Sequence, residues 1–328
     1  MHILVTGGSG FIGSHLVERL LQRGDQVTII DDLSTGRVTN LAHFADNPQL
    51  EIVTSDLGNP MLVEKYCSQV DQVYHLAAAV GVALIAKRPY ESIQRNIYPT
   101  QILLDALSRE LDRGRRVPFF LASTSEVYGK NPKPVWSEED DLVFGATTKP
   151  RWSYGVSKSI DEFLALALVK ERNLPVVIAR FFNVVGPRQT GAYGMVLPRF
   201  VQAAMTGRPL IVHDDGQQQR CFAHVHDVVK AIVQLVDTPS SHGRVYNVGS
   251  NQPLTMLQLA KLVREIVNPK AAIEFQSYAD AYDHDFEDIR RRVPDLTRIR
   301  QTINYKPTRD IDVIIRDVWN DFLAHPDR

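Results

Sequence analysis

Apolar positions along the first half of the chain fall into two alternating rhythms. Short, almost unbroken apolar runs occur as HILVT (2–6), QVTIID (26–31), EIVTSD (51–56), QVYHLAA (72–78), PFFLAS (118–123) and PVVIAR (175–180). Each predicts a strand buried on both faces. Between them the spacing changes to that of helices. The stretch from Gly13 to Gly24 places Leu16, Leu20 and Leu21 on one face and stops at glycine, and further helical stretches lie around 61–68, 93–111 and 154–171. Strand and helix in alternation predict an α/β fold built on a parallel sheet with helices on both faces. After about residue 181 the rhythm loosens. LPRFVQAAM and TMLQLAKLVREIV read as helices, LIVHD and RVYNVG as short strands, with long polar connections between them. This predicts a smaller mixed α/β region from 181 to 328, with the chain crossing back between it and residues 1–180. The polar stretch 277–292, SYADAYDHDFEDIRRR, reads as a solvated loop or a segment that closes over a ligand.

Composition narrows the partners. The 328 residues carry a formal net charge of -1 and are 44% hydrophobic, so a sizeable core is expected and there is no electrostatic case for nucleic acid or an anionic membrane. The longest apolar run, LAAAVGVALIA at 76–86, is well short of the about 20 residues a membrane helix needs. The start, MHILVTGGSGFIG, does not resemble a secretory signal. Cys67 and Cys221 have no metal-type spacing and read as buried thiols, which fits a reducing, cytoplasmic setting.

The first strand runs straight into TGGSGFIG. Gly7, Gly10 and Gly13 let the chain turn sharply and let a pyrophosphate reach bare backbone at a helix N-terminus. An acid, Asp31, ends the second strand about twenty residues on, where it would accept hydrogen bonds from ribose hydroxyls. The context predicts a dinucleotide site and hence a Rossmann-type, doubly wound sheet. A carboxylate at Asp31 disfavours a 2′-phosphate and so favours NAD, with Arg37 nearby as a counter-indication. Asp56 could reach the adenine amino group or simply cap a helix.

Residues 151–158 read RWSYGVSK, which puts Tyr154 and Lys158 on one helix face. A free phenol titrates near about 10, so service as a base at neutral pH calls for nearby positive charge. Lys158 is expected to supply it, together with a nicotinamide cation. Upstream, STSEVYG (123–129) offers Thr124 or Ser125 as a hydroxyl partner and sets a carboxylate, Glu126, beside them.

In these motifs, and in DDLSTG (31–36), HLAA (75–78), RFFNVVGPRQ (180–189), GQQQRCF (216–222) and DIRRR (288–292), the chain resembles the extended short-chain dehydrogenase/reductases that modify nucleotide sugars. The resemblance covers nearly the whole chain. It implies that Gly7, Gly10, Phe11, Ile12, Gly13, Asp31, Asp56, Leu57, Leu76, Ala77 and Ala78 surround NAD, and that Lys158 holds the nicotinamide ribose. Tyr154 would be the base and Ser125 or Thr124 would touch the sugar hydroxyls. Asn183, Arg220 and Arg290 resemble the residues that bind the nucleotide diphosphate of a UDP-sugar; guanidinium forks match phosphate geometry. The helices at 93–111 and 154–171 often pair across a dimer axis in this family, so a homodimer is implied.

The shared chemistry oxidises C4 of the sugar to a ketone. The keto sugar is then reduced from its other face (epimerisation), loses water (4,6-dehydration) or, where C6 is a carboxylate, loses carbon dioxide. Family epimerases usually carry a small or hydroxyl residue at the place of Glu126. Decarboxylases and some dehydratases read TSE, and a carboxylate there can manage a proton at C5. Arg292 resembles an arginine that faces the C6 carboxylate in UDP-glucuronate decarboxylases, and PRWSY resembles a decarboxylase string. Against these stand 76–89, which departs from that pattern, and RFFNVVGPRQ, which is closer to epimerases. UDP-glucuronate decarboxylation is therefore the first expectation, 4-epimerisation of a UDP-hexose or UDP-hexuronate the second and 4,6-dehydration the third. A catalytically silent NAD sensor would have no need of Tyr154, Lys158 and the STS stretch. His224 and His226 lack a third ligand at motif spacing, so no metal is expected, and Asp227 is expected to cap the following helix.

Overall fold

In the computed structural model, residues 1–79, 88–191, 195–278 and 289–326 are described. Residues 80–87 of the apolar run and 279–288 of the polar stretch lie outside them.

The chain opens with β1 (His2–Thr6), α1 (Phe11–Gln22), β2 (Gln26–Asp31), β3 (Leu50–Thr54), α2 (Pro60–Cys67), β4 (Gln72–His75), α3 (Pro89–Asp112), β5 (Phe119–Thr124), α4 (Ser153–Arg172) and β6 (Val176–Phe181). It continues with β7 (Val184–Val185), α5 (Val196–Met205), β8 (Leu210–His213), β9 (Gln219–Cys221), β10 (Ala223–His224), α6 (Val225–Asp237) and β11 (Arg244–Val248). Then follow β12 (Pro253–Thr255), α7 (Met256–Val267), β13 (Ile273–Gln276), β14 (Arg291–Arg292), α8 (Thr297–Ile303) and α9 (Ile311–Ala324).

Seven strands form one sheet in the order β11-β6-β5-β4-β1-β2-β3, all parallel. The two faces bury separate cores. One gathers Leu16 and Leu20 of α1 with Val228 and Ile232 of α6. The other gathers Val63 of α2, Leu103 and Leu107 of α3 and Ala165 of α4. Helices on both faces explain why the strands are apolar at every position rather than at every second one. The fold class expected from the alternation is the one observed.

The edge strand β11 comes from beyond residue 181 and pairs with β6 from Arg244↔Val177 to Val248↔Phe181. Residues after 181 also build three small sheets: β10 with β7, β13 with β8, and β9 between β12 and β14. Over them α5, α7 and α9 enclose a further core, including Leu197, Val201, Leu259, Val263 and Ile314. Among the described residues no helix is long and apolar enough to cross a membrane.

Candidate active site

A cleft of about 1540 Å³ runs along the C-terminal ends of β1–β6 and continues into the region beyond residue 181. That is where ligands sit in open parallel sheets. The volume exceeds the roughly 300–1,000 Å³ that one small ligand fills. The lining runs from Asp31 and Asp56 at one end, past Thr124, Glu126 and Tyr154, to Arg220, His213 and Tyr278 at the other.

The glycine loop forms the floor of the first end. Gly7 has φ of +70°, and a Cβ there would lie 2.7 Å from the Ala77 nitrogen. A Cβ on Gly13 would lie 2.1 Å from the Gly7 carbonyl oxygen, so α1 starts against the loop only because position 13 has no side chain. Asp31 accepts from the Ser9 N–H at 2.9 Å and the Leu33 N–H at 2.9 Å. Burial pushes its carboxyl above the usual range, against the pull of those two N–H groups. Phe11, Ile12, Gly10, Leu57, Leu76, Ala77 and Ala78 line the same end. Asp56 accepts from the Gly58 N–H at 2.6 Å and lines the cleft, but it does not cap α2. Asn59 does, accepting from the Met61 and Leu62 N–H groups. A bare-backbone cradle with an acid at the second strand's end is what a dinucleotide needs.

The reaction centre forms where β5 meets the start of α4. Gly155 lets the first turn of α4 press on the turn Ser125–Tyr128: a Cβ there would lie 2.6 Å from the Glu126 carbonyl oxygen. The Thr124 hydroxyl, which accepts from the Glu126 N–H at 3.2 Å, favours ionisation of the Tyr154 phenol, and buried Ser125 lines the cleft with them. Glu126 is held between two guanidiniums. Arg151 lies 2.6 Å from Oε2, and Arg292 of β14 donates to Oε1. Arg151 also packs over the Trp152 ring at 5.3 Å. Burial alone would raise the Glu126 carboxyl, yet Arg292 and Arg151 together bring it down to about 2. It is therefore ionised at neutral pH.

Two expectations are corrected here. The phenol was expected to be more acidic than usual; instead burial, then the negative charges of Glu126 and Asp161, raise the pKa of Tyr154, with only the Thr124 hydroxyl opposing. Lys158 was expected beside it as the compensating charge. Its ammonium is 2% exposed, does not line the cleft and donates to Asp161 at 2.7 Å.

At the far end Asn183 holds a positive φ of 33° and donates to the Cys221 carbonyl at 3.0 Å. Arg220 of β9 is nearly buried and lines the cleft. Arg290 is the one expected site arginine that does not: its side chain is 73% exposed and meets Asp215 at 2.9 Å. Among the described residues no group of three His, Cys, Asp or Glu is placed to hold a metal ion. His224 caps α6 by accepting from the His226 N–H at 3.1 Å. Asp227, expected in that role, instead takes Thr308 and Arg309.

A family model for GDP-mannose 4,6 dehydratase matches residues 4–318. The chain belongs to that family. Within the GDP-mannose 4,6 dehydratase family it is similar to a UDP-N-acetyl-alpha-D-glucosaminuronate decarboxylase of Bacillus cytotoxicus, 37% identical over 93% of this chain and 92% of the relative. It is also similar to UDP-glucuronic acid decarboxylase 1 of Arabidopsis thaliana, 36% identical over 94% of this chain and 66% of the relative, so it spans about two thirds of that protein. Among solved structures, UDP-glucuronic acid 4-epimerase from Bacillus cereus, in complex with UDP-glucuronic acid and NAD, superposes with a TM-score of 0.86 at 27% identity over 99% of each chain. The extended short-chain dehydrogenase/reductase assignment made from the motifs is borne out.

Membership of the GDP-mannose 4,6 dehydratase family does not itself single out Arg151 or Asp161. Both belong to the centre, and sequence reasoning gave neither a role. Arg151 stood inside the quoted PRWSY string, three positions before Tyr154. Asp161 sits three beyond Lys158 on the same helix, a spacing that signals an ion pair once the lysine is known to face inward.

Proposed function

We propose that this chain is an NAD-dependent nucleotide-sugar enzyme that decarboxylates a nucleotide-linked uronate, UDP-glucuronate in the first place. The observation that carries the reading is the cluster beside Tyr154: one carboxylate, Glu126, set against two guanidiniums, Arg151 and Arg292. Two guanidiniums beside Tyr154 on the cleft wall are fitted to receive the C6 carboxylate of a uronate by charge-assisted hydrogen bonds. Both named decarboxylase relatives act on uronates, and the C2 group differs between their names.

In this reading the Gly7–Gly13 cradle, Asp31 and Asp56 hold NAD, with Lys158 at its nicotinamide ribose. When bound, NAD supplies reversible hydride acceptance at C4 of the sugar. Tyr154 takes and returns the O4 proton, and Thr124 or Ser125 orients that hydroxyl. Arg292 and Arg151 turn from Glu126 to the substrate carboxylate. That exchange weakens their hold on Glu126 and lets it handle the proton at C5, which it does not do while paired on both sides. Asn183 and Arg220 bind the diphosphate. Arg290, exposed on Asp215, is given no part.

The test is incubation with UDP-glucuronate and, separately, UDP-N-acetylglucosaminuronate. Carbon dioxide with a UDP-pentose supports decarboxylation. UDP-galacturonate without gas moves the reading to 4-epimerase, the activity named for the Bacillus cereus neighbour.

The finer partner assignment is a homodimer. Val156, Ile160 and Phe163 form an exposed apolar stripe on α4, with Phe163 69% exposed, and Tyr90, Ile93 and Tyr98 are exposed on α3. Phe163→Glu should convert the dimer to monomer in sedimentation velocity; a monomer in the unchanged chain overturns the assignment. Two free buried thiols, Cys67 and Cys221, support a reducing compartment, cytoplasmic in our reading.

A further inference from the structure

Tyr154, Lys158 and Asp161 follow one another at four- and three-residue steps on α4 and so share its inward face. The last two are an ion pair sealed from water, with the lysine side chain 2% and the aspartate 0% exposed and 2.7 Å between Nζ and Oδ2. We propose that Asp161 is a positioning residue: it captures the ammonium of Lys158 and so withholds from Tyr154 the positive charge that would favour its phenolate.

Among the charged groups around Tyr154, Asp161 is the one that engages Lys158. Facing Tyr154 from the turn after β5 is Glu126, whose charge is met by Arg151 of the 150–152 turn and Arg292 of β14. From the next position of α4, Glu162 is closed in a separate ion pair with Arg180 of β6 at 2.7 Å. From β4 comes His75, buried between Thr6 at 2.7 Å and Thr100 at 3.1 Å. Burial and Lys158 bring His75 down to about 3, so it contributes no charge at neutral pH. The one cation on the tyrosine's own helix face is thus Lys158, and it is turned to a carboxylate. Burial, then Glu126, then Asp161 hold the phenol's proton on.

The pair is also anchored to the nucleotide end. Thr6 accepts from the Ala77 N–H at 3.3 Å, and Ala77 packs directly over Gly7. Thr6, His75 and Thr100 run from the floor of the glycine cradle to the neighbourhood of the lysine–aspartate pair, where the Thr100 hydroxyl favours the Asp161 carboxylate. A ligand that draws Lys158 toward the cradle loosens its hold on Asp161. The phenol is therefore kept protonated until the cradle is filled, which suits a group meant to act only on a bound sugar.

The inference rests on Tyr154 being the proton-transfer group, but its test does not need a substrate. Tyrosinate absorbance is titrated in the unchanged chain, in Asp161→Asn and in each with Tyr154→Phe added, so that the Tyr154 signal is the difference. Asp161→Asn frees the ammonium to turn along the shared helix face toward the phenol, and the Tyr154 signal should appear about 1–3 pH units lower. In turnover, where NAD fills the cradle, the acid limb of the kcat profile, which reports the phenolate acting as base, should move less than the titration does, with little change in KM. Should the asparagine variant fold poorly, Lys158→Met/Asp161→Leu removes both charges and should titrate close to the unchanged chain. An Asp161→Asn protein of native circular dichroism whose Tyr154 signal does not move overturns the proposal, as does a charge-free pair variant that titrates as low as expected for the single. Failure of the uronate assay with the titration shift intact would count against the proposed reaction and not against this role.

Discussion

Glu126 is worth most where it is most constrained. Its two oxygens meet Arg151 and Arg292, and the second of these lies 166 positions away in the chain. The identity of the carboxylate was legible in STSEVYG, and so was Arg292 as a candidate; that the two touch was not, because nothing local records a contact of that separation. Arg151→Met should reduce kcat/KM for a uronate by roughly 10- to 150-fold, the range for losing one charge-assisted hydrogen bond of about 1.5–3 kcal/mol. The same change should raise the pH at which Glu126 protonates from about 2, read by carboxylate infrared difference spectra. Glu126→Gln should abolish gas release while leaving NAD binding intact; a wild-type rate in that variant would remove the reason for preferring decarboxylation. Asp31→Ala should weaken NAD by losing its ribose acceptor. In the unchanged chain, NAD at 100 times its Kd should add about 2.7 kcal/mol to unfolding, measured as a denaturant midpoint shift. The glycines were readable for a physical reason: a Cβ at position 13 would fall 2.1 Å from the Gly7 carbonyl oxygen, so only a residue without a side chain fits there.

Helix α4 carries more of the site than its sequence announced. Tyr154 and Lys158 were legible from their spacing, but the phenol's acidity was misjudged, since spacing reveals which groups share a face and not which charge a third residue has taken. Gly155→Ala would drive a methyl to 2.6 Å from the Glu126 carbonyl. It should lower activity together with about 1–3 kcal/mol of stability, both absent if the turn can simply retreat. At α6 the expected cap was one of two chemically reasonable neighbours. Asp227 was already engaged by Thr308 and Arg309 from near the start of α9, which left His224 to close the helix. Such competition is invisible in a local pattern.

Across the whole molecule, alternating apolar runs were enough to foretell a parallel sheet, because burial on both faces writes itself into every strand position. RVYNVG was legible as a strand, but not as the seventh strand of the large sheet, since it is short and follows a change of rhythm. The core also stores an acid sensitivity. His15 and His75 are buried and brought from 6.5 to about 3, chiefly by desolvation. Both are neutral in the folded state and bind protons in the unfolded one. Their stabilisation is complete above pH 6.5 and is lost as pH falls toward 3, at about 1.4 kcal/mol per unit for each. Urea titrations at pH 7 and pH 5 should show that decline, and His75→Gln should remove His75's share of it.

The contribution of β11 to the sheet also bears on how the protein is made. Until residues 244–248 have left the ribosome, β6 has a bare flank, VVIARF, with unpaired backbone and apolar side chains on both faces. A fragment ending at 180 should therefore clump when expressed alone, and adding a peptide that spans 223–250 should rescue its solubility. The newborn chain must keep that flank from sticking to its neighbours until most of its length has been synthesised.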